Sequence, residues 1–323
     1  MMRDAIEDFA KQFAYDPLVV HAEKLPRVDA FVVAGMGGSH WAADLLKIWK
    51  PDLNVTIHSD YGMPLHIKPE WLSRMLFIAS SYSGNTEEPI DAYQRAGEHG
   101  AMRVVVAAGG KLLAMAKVDG VPYIQLPDTG IQPRSALGFS MKALLKIMGE
   151  QDALLEISRL SDTLKPAGYE AEGKALAEKI KGCVPVIYAS ARNAAIAQNW
   201  KIKFNETGKI PAFSNVFPEL NHNEMTGFDV SDATRDLSRN FFFIFLKDVA
   251  DDPRIIKRMG VTEDMYRNRG LQTTALDMRS ASVFEKIFSS LLVADWAAYY
   301  TAEAYGLESE QVPMVEEFKK LIA

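Results

Sequence analysis

Three groups of residues in this chain combine types and spacing that could do chemistry. The first is the turn Ser80-Ser81-Tyr82-Ser83-Gly84-Asn85-Thr86, set between the apolar run Met75 to Ala79 and a helical pattern from Glu87 to about Gly100. The run reads as a buried strand. Strand, hydroxyl-rich turn and helix N-terminus in that order suit an anion, because free amides and the positive dipole end of the helix face the turn. Hydroxyls on Ser81, Ser83 and Thr86 add donors of short reach. No lysine follows as in a Walker A loop, so a phosphate monoester fits better than a nucleoside triphosphate. The simpler alternative is an ordinary helix N-cap at Ser83 or Thr86.

The second group lies between positions 206 and 224, where Glu206, Glu219, His222 and Glu224 stand close in sequence. A carboxylate and an imidazole are the usual pair for moving protons near neutral pH. His222 and Glu224 could also ligate a metal, but no second histidine is nearby and the spacing matches no zinc motif. A histidine that merely caps or packs an Asn-rich turn is the plainer alternative. The third group is Arg134, after the loop Pro127 to Pro133 and just before a helix expected from about Ser135. A cation is unfavourable at a helix N-terminus, which sets Arg134 apart from an ordinary solvated loop arginine.

The elements that must position these residues follow from the hydrophobic pattern. Residues 3–15 have helical spacing, with Ile6, Phe9, Ala10 and Phe13 on one face. Ala30 to Ala34 reads as a strand that enters Gly35-Met36-Gly37-Gly38-Ser39-His40, with a helix to about Trp49. This is a weak relative of the dinucleotide fingerprint, without its third glycine. Further strands are expected at 54–58, 103–107 and 121–126. Strands alternating with helices imply a parallel sheet, with ligands at the carboxyl ends of its strands. Ser39 and Ser81 both fall there. After helices at about 151–163 and 169–181, strand, small-residue turn and helix recur at Pro185 to Phe204. The chain therefore reads as a tandem repeat of one α/β unit, divided at 150/151. Strands at 241–246 and 271–278 and a helix at 282–304 complete the second half. The charged stretch Asp248 to Arg258 reads as a solvated helix start, and the Phe run at 241–245 as a buried strand.

Composition bounds the function. A chain of 323 residues, 48% hydrophobic and 24% charged, is that of a globular protein large enough for two domains. A net charge of −6 without a basic run argues against a nucleic-acid partner. The single cysteine, Cys183, cannot form an intramolecular disulfide, which fits a reducing cytoplasmic setting. The charged start Met1 to Asp8 has no signal-peptide core, and the apolar stretch Leu291 to Tyr300 is too short to span a membrane.

Four segments carry a family resemblance: Gly35-Met36-Gly37-Gly38-Ser39; Ser80 to Glu88; Pro133-Arg134; and Phe204-Asn205-Glu206 with Pro218-Glu219-Leu220-Asn221-His222-Asn223-Glu224. Together they resemble the bifunctional phosphoglucose/phosphomannose isomerases, a branch of the sugar isomerase (SIS) domain proteins. The Ser-Gly-Asn-Thr loop marks the wider SIS group, and the segment ending at Glu224 the isomerase branch. His40-Trp41 departs from the small residues usual there.

The resemblance implies two tandem three-layer αβα domains, 1–150 and 151–323, each with a mainly parallel sheet flanked by helices. It implies interconversion of glucose 6-phosphate or mannose 6-phosphate with fructose 6-phosphate, without a metal or other cofactor. Ser39, Ser81, Ser83 and Thr86 would hold the phosphate, with Gly37 and Gly38 in the substrate loop. Glu206 would carry a proton between C1 and C2, Arg134 would stabilise the enediolate, and His222 would open the sugar ring with help from Lys319, which Lys320 adjoins. Shared active sites in a homodimer are also implied, because the family's histidine comes from the partner chain. A non-catalytic sugar-phosphate sensor of the same fold, or another SIS isomerase or etherase, are the competing expectations. A sensor has no need of Glu206, Arg134 and His222 together.

Overall fold

The structure is a computed structural model and describes residues 1–280 and 282–322. Helix α1 (Met2–Glu7) opens the chain. The first sheet contains β1 (Val19–Val20), β2 (Ala30–Ala34), β3 (Val55–His58), β4 (Met75–Ser80), β5 (Met102–Ala107) and β6 (Tyr123–Gln125), in the order β1-β6-β5-β4-β2-β3. Its pairs are parallel except β1 with β6. The intervening helices are α2 (Gly38–Trp49), α3 (Glu87–Glu98), α4 (Gly110–Asp119), α5 (Leu137–Met148), α6 (Gln151–Ser158) and α7 (Leu160–Thr163). All five β2 residues are buried, as expected of a parallel strand covered on both faces.

The second sheet contains β7 (Val184–Ser190), β8 (Phe213–Phe217), β9 (Phe241–Asp248) and β10 (Gln272–Met278), in the order β10-β9-β7-β8 and wholly parallel. Its helices are α8 (Glu170–Ile180), α9 (Ala194–Glu206), the one-turn α10 (Glu224–Gly227) and α11 (Arg235–Ser238), α12 (Pro253–Asn268), α13 (Val283–Ala304) and α14 (Pro313–Ile322). The Phe run of β9 is buried as expected. Phe243 and Phe245 pack with Tyr188, Tyr266, Phe217 and Phe228 at ring-centroid distances of 4.6–6.5 Å. Such pairs add about 0.5–1.5 kcal/mol each beyond area burial.

The chain packs as two units: Asp8–Leu164, and Lys165 onward together with Met1–Glu7. The helix expected over 3–15 accordingly divides. α1 packs on α13, and after Asp8 a 3-10 segment, Phe9–Ala14, packs on α5 and α7. The four expected apolar residues are nonetheless all buried. The position 150/151 falls just before α6, and α6 and α7 pack within the first unit.

Two further findings differ from the sequence reading. β8 joins the second sheet beside β7 although no strand is expected there. In the stretch read as a solvated helix start, Asp248 and Asp251 are 1% and 7% exposed. Lys286 on α13 reaches Asp248 at 2.5 Å, and the Asp252 side chain caps the Arg254 amide to start α12. Burial raises the Asp248 carboxyl, but the Lys286 ammonium, the Ala250 amide and Asn193 together outweigh it and leave the group below its ordinary range. Asp251 goes the other way, pushed up by burial and by the neighbouring Asp248. Ser190 and Asn193 donate to Asp251 at 2.7 and 3.2 Å, which ties the end of β7 to the end of β9.

Candidate active site

In the first unit the ends of β2 and β4 meet. A methyl group built on Gly35 would lie 2.7 Å from the Ser80 carbonyl, so only glycine lets the two strand ends approach. Ser80 donates to the Ser39 carbonyl at 2.8 Å, and the Ser39 hydroxyl accepts from the Tyr82 amide at 3.0 Å. Ser39 and Ser81, both buried, are thereby brought to neighbouring strand ends.

The turn from Ser81 to Thr86 is fixed from below. Gly84 has φ +70°, and a methyl group on it would sit 1.8 Å from the Gly109 carbonyl. The Leu112 amide bonds the Gly84 carbonyl at 2.8 Å and the Lys111 amide the Asn85 side chain at 3.0 Å, so the start of α4 holds the turn. Thr86 occupies the N-cap position of α3, yet its side chain does not close on the helix amides. Its hydroxyl pairs instead with Ser81 Oγ at 3.0 Å, and Ser81 Oγ also accepts from the Gly84 amide at 3.1 Å. Ser83 is exposed and accepts only a long bond from the Asn85 amide. The hydroxyls are thus arranged around one another rather than spent on capping.

Arg134 is only 7% exposed. Its segment, the 3-10 turn Pro133–Ser135, presses on the glycine loop: a methyl group on Gly38 would lie 2.6 Å from the Pro133 carbonyl and 3.2 Å from the Arg134 Cα. Gly37, at φ +51°, precedes it as the N-cap of α2. The buried Gln12 clamps the same segment. It donates to the Ser135 carbonyl at 2.6 Å and accepts from the Gly138 and Phe139 amides. Gln12 thereby satisfies the first amides of α5, so the helix start behind Arg134 needs no anion. No local sequence signal marks Gln12, because its partners lie more than 120 positions away. His40 departs from the small residues of related loops but bonds Asp44 at 2.7 Å one turn along α2, which makes it a helix-packing residue.

In the second unit Glu206, His222 and Lys319 lie on three separate elements. Glu206 ends α9, half-buried, where Lys209 Nζ bonds its carbonyl at 2.6 Å. Beneath it the buried Lys203 pairs with Asp295 of α13 at 2.6 Å. His222 closes the 3-10 turn Glu219–His222 after β8 and is exposed. Of its acidic neighbours, Glu219 is exposed and accepts from Asn223 at 2.8 Å. Glu224 has both carboxylate oxygens engaged, one by the Tyr188 hydroxyl and one by Asn215, each at 2.5 Å. A carboxylate so committed is a poor proton carrier. Lys319 lies on the exposed face of α14 and pairs with Glu316 at 2.7 Å. Among the described residues no cluster of three or more His, Cys, Asp or Glu side chains is arranged to hold a metal ion, and no helix is long and apolar enough to cross a membrane.

Comparison with known proteins agrees with this architecture. Residues 169–322 match the family model for the C-terminal SIS domain of bacterial phospho-glucose isomerase. The bifunctional phosphoglucose/phosphomannose isomerase of Caldicellulosiruptor bescii is 33% identical, over 93% of this chain and 91% of its own. Its counterpart in Thermoplasma volcanium is 34% identical, over 93% of each chain. Among solved structures, the C-terminal domain of glucosamine-fructose-6-phosphate aminotransferase from Francisella tularensis superposes with a TM-score of 0.69 at 13% identity, covering 96% of this chain and 98% of that one, a likeness of fold. Sequence identity at this level across nearly the whole length places the chain in the family of bifunctional phosphoglucose/phosphomannose isomerases.

Proposed function

We propose that the chain is an aldose–ketose isomerase that interconverts glucose 6-phosphate or mannose 6-phosphate with fructose 6-phosphate through an enediolate. The observation that carries the reading is the turn at 81–86, whose hydroxyls gather at a strand end without capping the helix behind them. Ser39, Ser81, Ser83 and Thr86, with the amides of the Gly37-Gly38 loop, bind the substrate phosphate. Glu206 takes the proton from C1 of the ketose and returns it to C2, or the reverse. The charge that develops on the oxygens needs a fixed cation, and Arg134 supplies one that never deprotonates. His222 moves the ring-oxygen proton when the cyclic sugar opens, assisted by Lys319. A cytoplasmic location belongs to the same proposal, in keeping with a single free cysteine. A coupled assay with each aldose phosphate tests the activity. In it, Ser83→Ala and Thr86→Ala should raise KM more than they lower kcat, because they remove binding shared by ground and transition states. Unchanged KM in both variants would overturn the phosphate assignment.

The active form in this proposal is a homodimer, with His222 serving the site of the partner chain. The exposure of His222 supports this. Mixing Glu206→Gln with His222→Ala under conditions of proven subunit exchange should restore part of the activity, since one of the two sites in a mixed dimer is then intact. No recovery would mean that each site is built from one chain.

A further inference from the structure

Glu224 is held more firmly than its place in an exposed turn requires. The chain leaves β8 at Phe217, makes the 3-10 turn and brings Glu224 back against the strands it has just left. There one carboxylate oxygen accepts from Tyr188 on β7 and the other from Asn215 on β8. Asn223 braces the turn from inside: its oxygen accepts the Glu224 amide at 2.5 Å, and its nitrogen donates to Glu219 at 2.8 Å. Leu220 is fully buried below. His222 therefore stands on a segment fastened on both sides, while the residue itself stays exposed.

We propose that Glu224 is the positioning residue of His222, its carboxylate joining the paired residues Tyr188 of β7 and Asn215 of β8 to the turn so that the imidazole is presented at a fixed place. The proposal rests on the ring-opening role given to His222. Burial, the neighbouring Tyr266 and the Glu224 carboxylate push the Tyr188 phenol far above its ordinary value. Tyr188 therefore remains a donor throughout the working pH range.

Ring opening can be read apart from isomerisation. In a Glu206→Gln background the proton shuttle is removed, and exchange between the α and β anomers of fructose 6-phosphate is followed by saturation-transfer NMR. Adding Glu224→Ala should slow this exchange about 100-fold, the order expected when a reacting group is misplaced by about 1 Å. Adding Tyr188→Phe, which keeps the ring in its aromatic cluster, should slow it several-fold. The fructose 6-phosphate concentration for half-maximal exchange should stay the same, and the loss should persist per folded molecule, with the folded fraction read by circular dichroism, which general loss of fold would not produce. If Glu224→Ala proves insoluble, Tyr188→Phe alone decides. Exchange at the background rate in the added variants overturns the positioning role and leaves ring opening intact. A Glu206→Gln protein that exchanges no anomers removes the ring-opening step itself, and the proposal falls with it.

Discussion

Glu206→Gln is expected to lower isomerisation by about 10²–10⁴-fold, the usual cost of losing a well-placed general base, while substrate binding survives. The substitution keeps the side chain's shape at the end of α9 and removes its charge and its capacity to take a proton. The most direct reading is hydrogen exchange at C1 of fructose 6-phosphate in deuterated water. A shuttle through the enediol puts solvent deuterium into substrate or product in the wild type, and Glu206→Gln should abolish it. Exchange that persists in Glu206→Gln but stops in Glu224→Gln would show that the base is misassigned, against the geometry in which both Glu224 oxygens are already bonded. A wild type that isomerises without exchange would instead point to internal return of the proton or to hydride transfer.

A large effect on stability is expected at the ion pair below Glu206. The Lys203 and Asp295 side chains are 4% and 11% exposed and 2.6 Å apart. Breaking a buried pair strands a charge in a poorly solvated place, which costs about 3–5 kcal/mol. Asp295→Ala should therefore shift the urea midpoint strongly. The double variant Lys203→Met with Asp295→Leu should recover most of the loss, because it strands no charge. If Asp295→Ala unfolds at the wild-type midpoint, Lys203 is solvated or otherwise compensated when alone. Since α9 also carries Glu206, activity should be measured on both variants, and it should track the fraction folded.

Much of the fold was legible because parallel strands are covered on both faces. β2, β4 and β9 are continuous apolar runs and appear where that pattern places them. β8 escaped because Ser214 and Asn215 interrupt its apolar pattern. In the structure they are spent on Gln198 and Glu224, partners that no local rule connects to them. β1 is two residues long and pairs with β6 more than a hundred positions later. The buried Asp248 looked like surface for a similar reason: the lysine that neutralises it is 38 positions away. Of the site, the hydroxyl turn could be read from residue type, since strand, small polar turn and helix start form a local pattern. The supports could not. Gln12 behind Arg134 and Tyr188 behind the His222 turn act across long stretches of chain, and Asn215 acts from a strand that no local pattern marks.

The two sheets end differently where a parallel sheet receives its ligand. At the ends of β7 and β9, Ser190, Asn193, Asp248, Asp251 and Lys286 already bridge strand to strand and helix to strand. That end of the second unit is completed by its own side chains. In the first unit Ser39 and Ser80 also join the ends of β2 and β4, but the hydroxyls of the 81–86 turn bond mainly within the turn, and the proposed phosphate would add bonds there. On the proposed phosphate assignment, bound phosphate would be a removable piece of the architecture there, and mass action adds to stability only what binds the native form. Heat resistance gained from substrate should therefore be unevenly shared along the chain, with Asp8–Leu164 the half that tightens when the guest arrives.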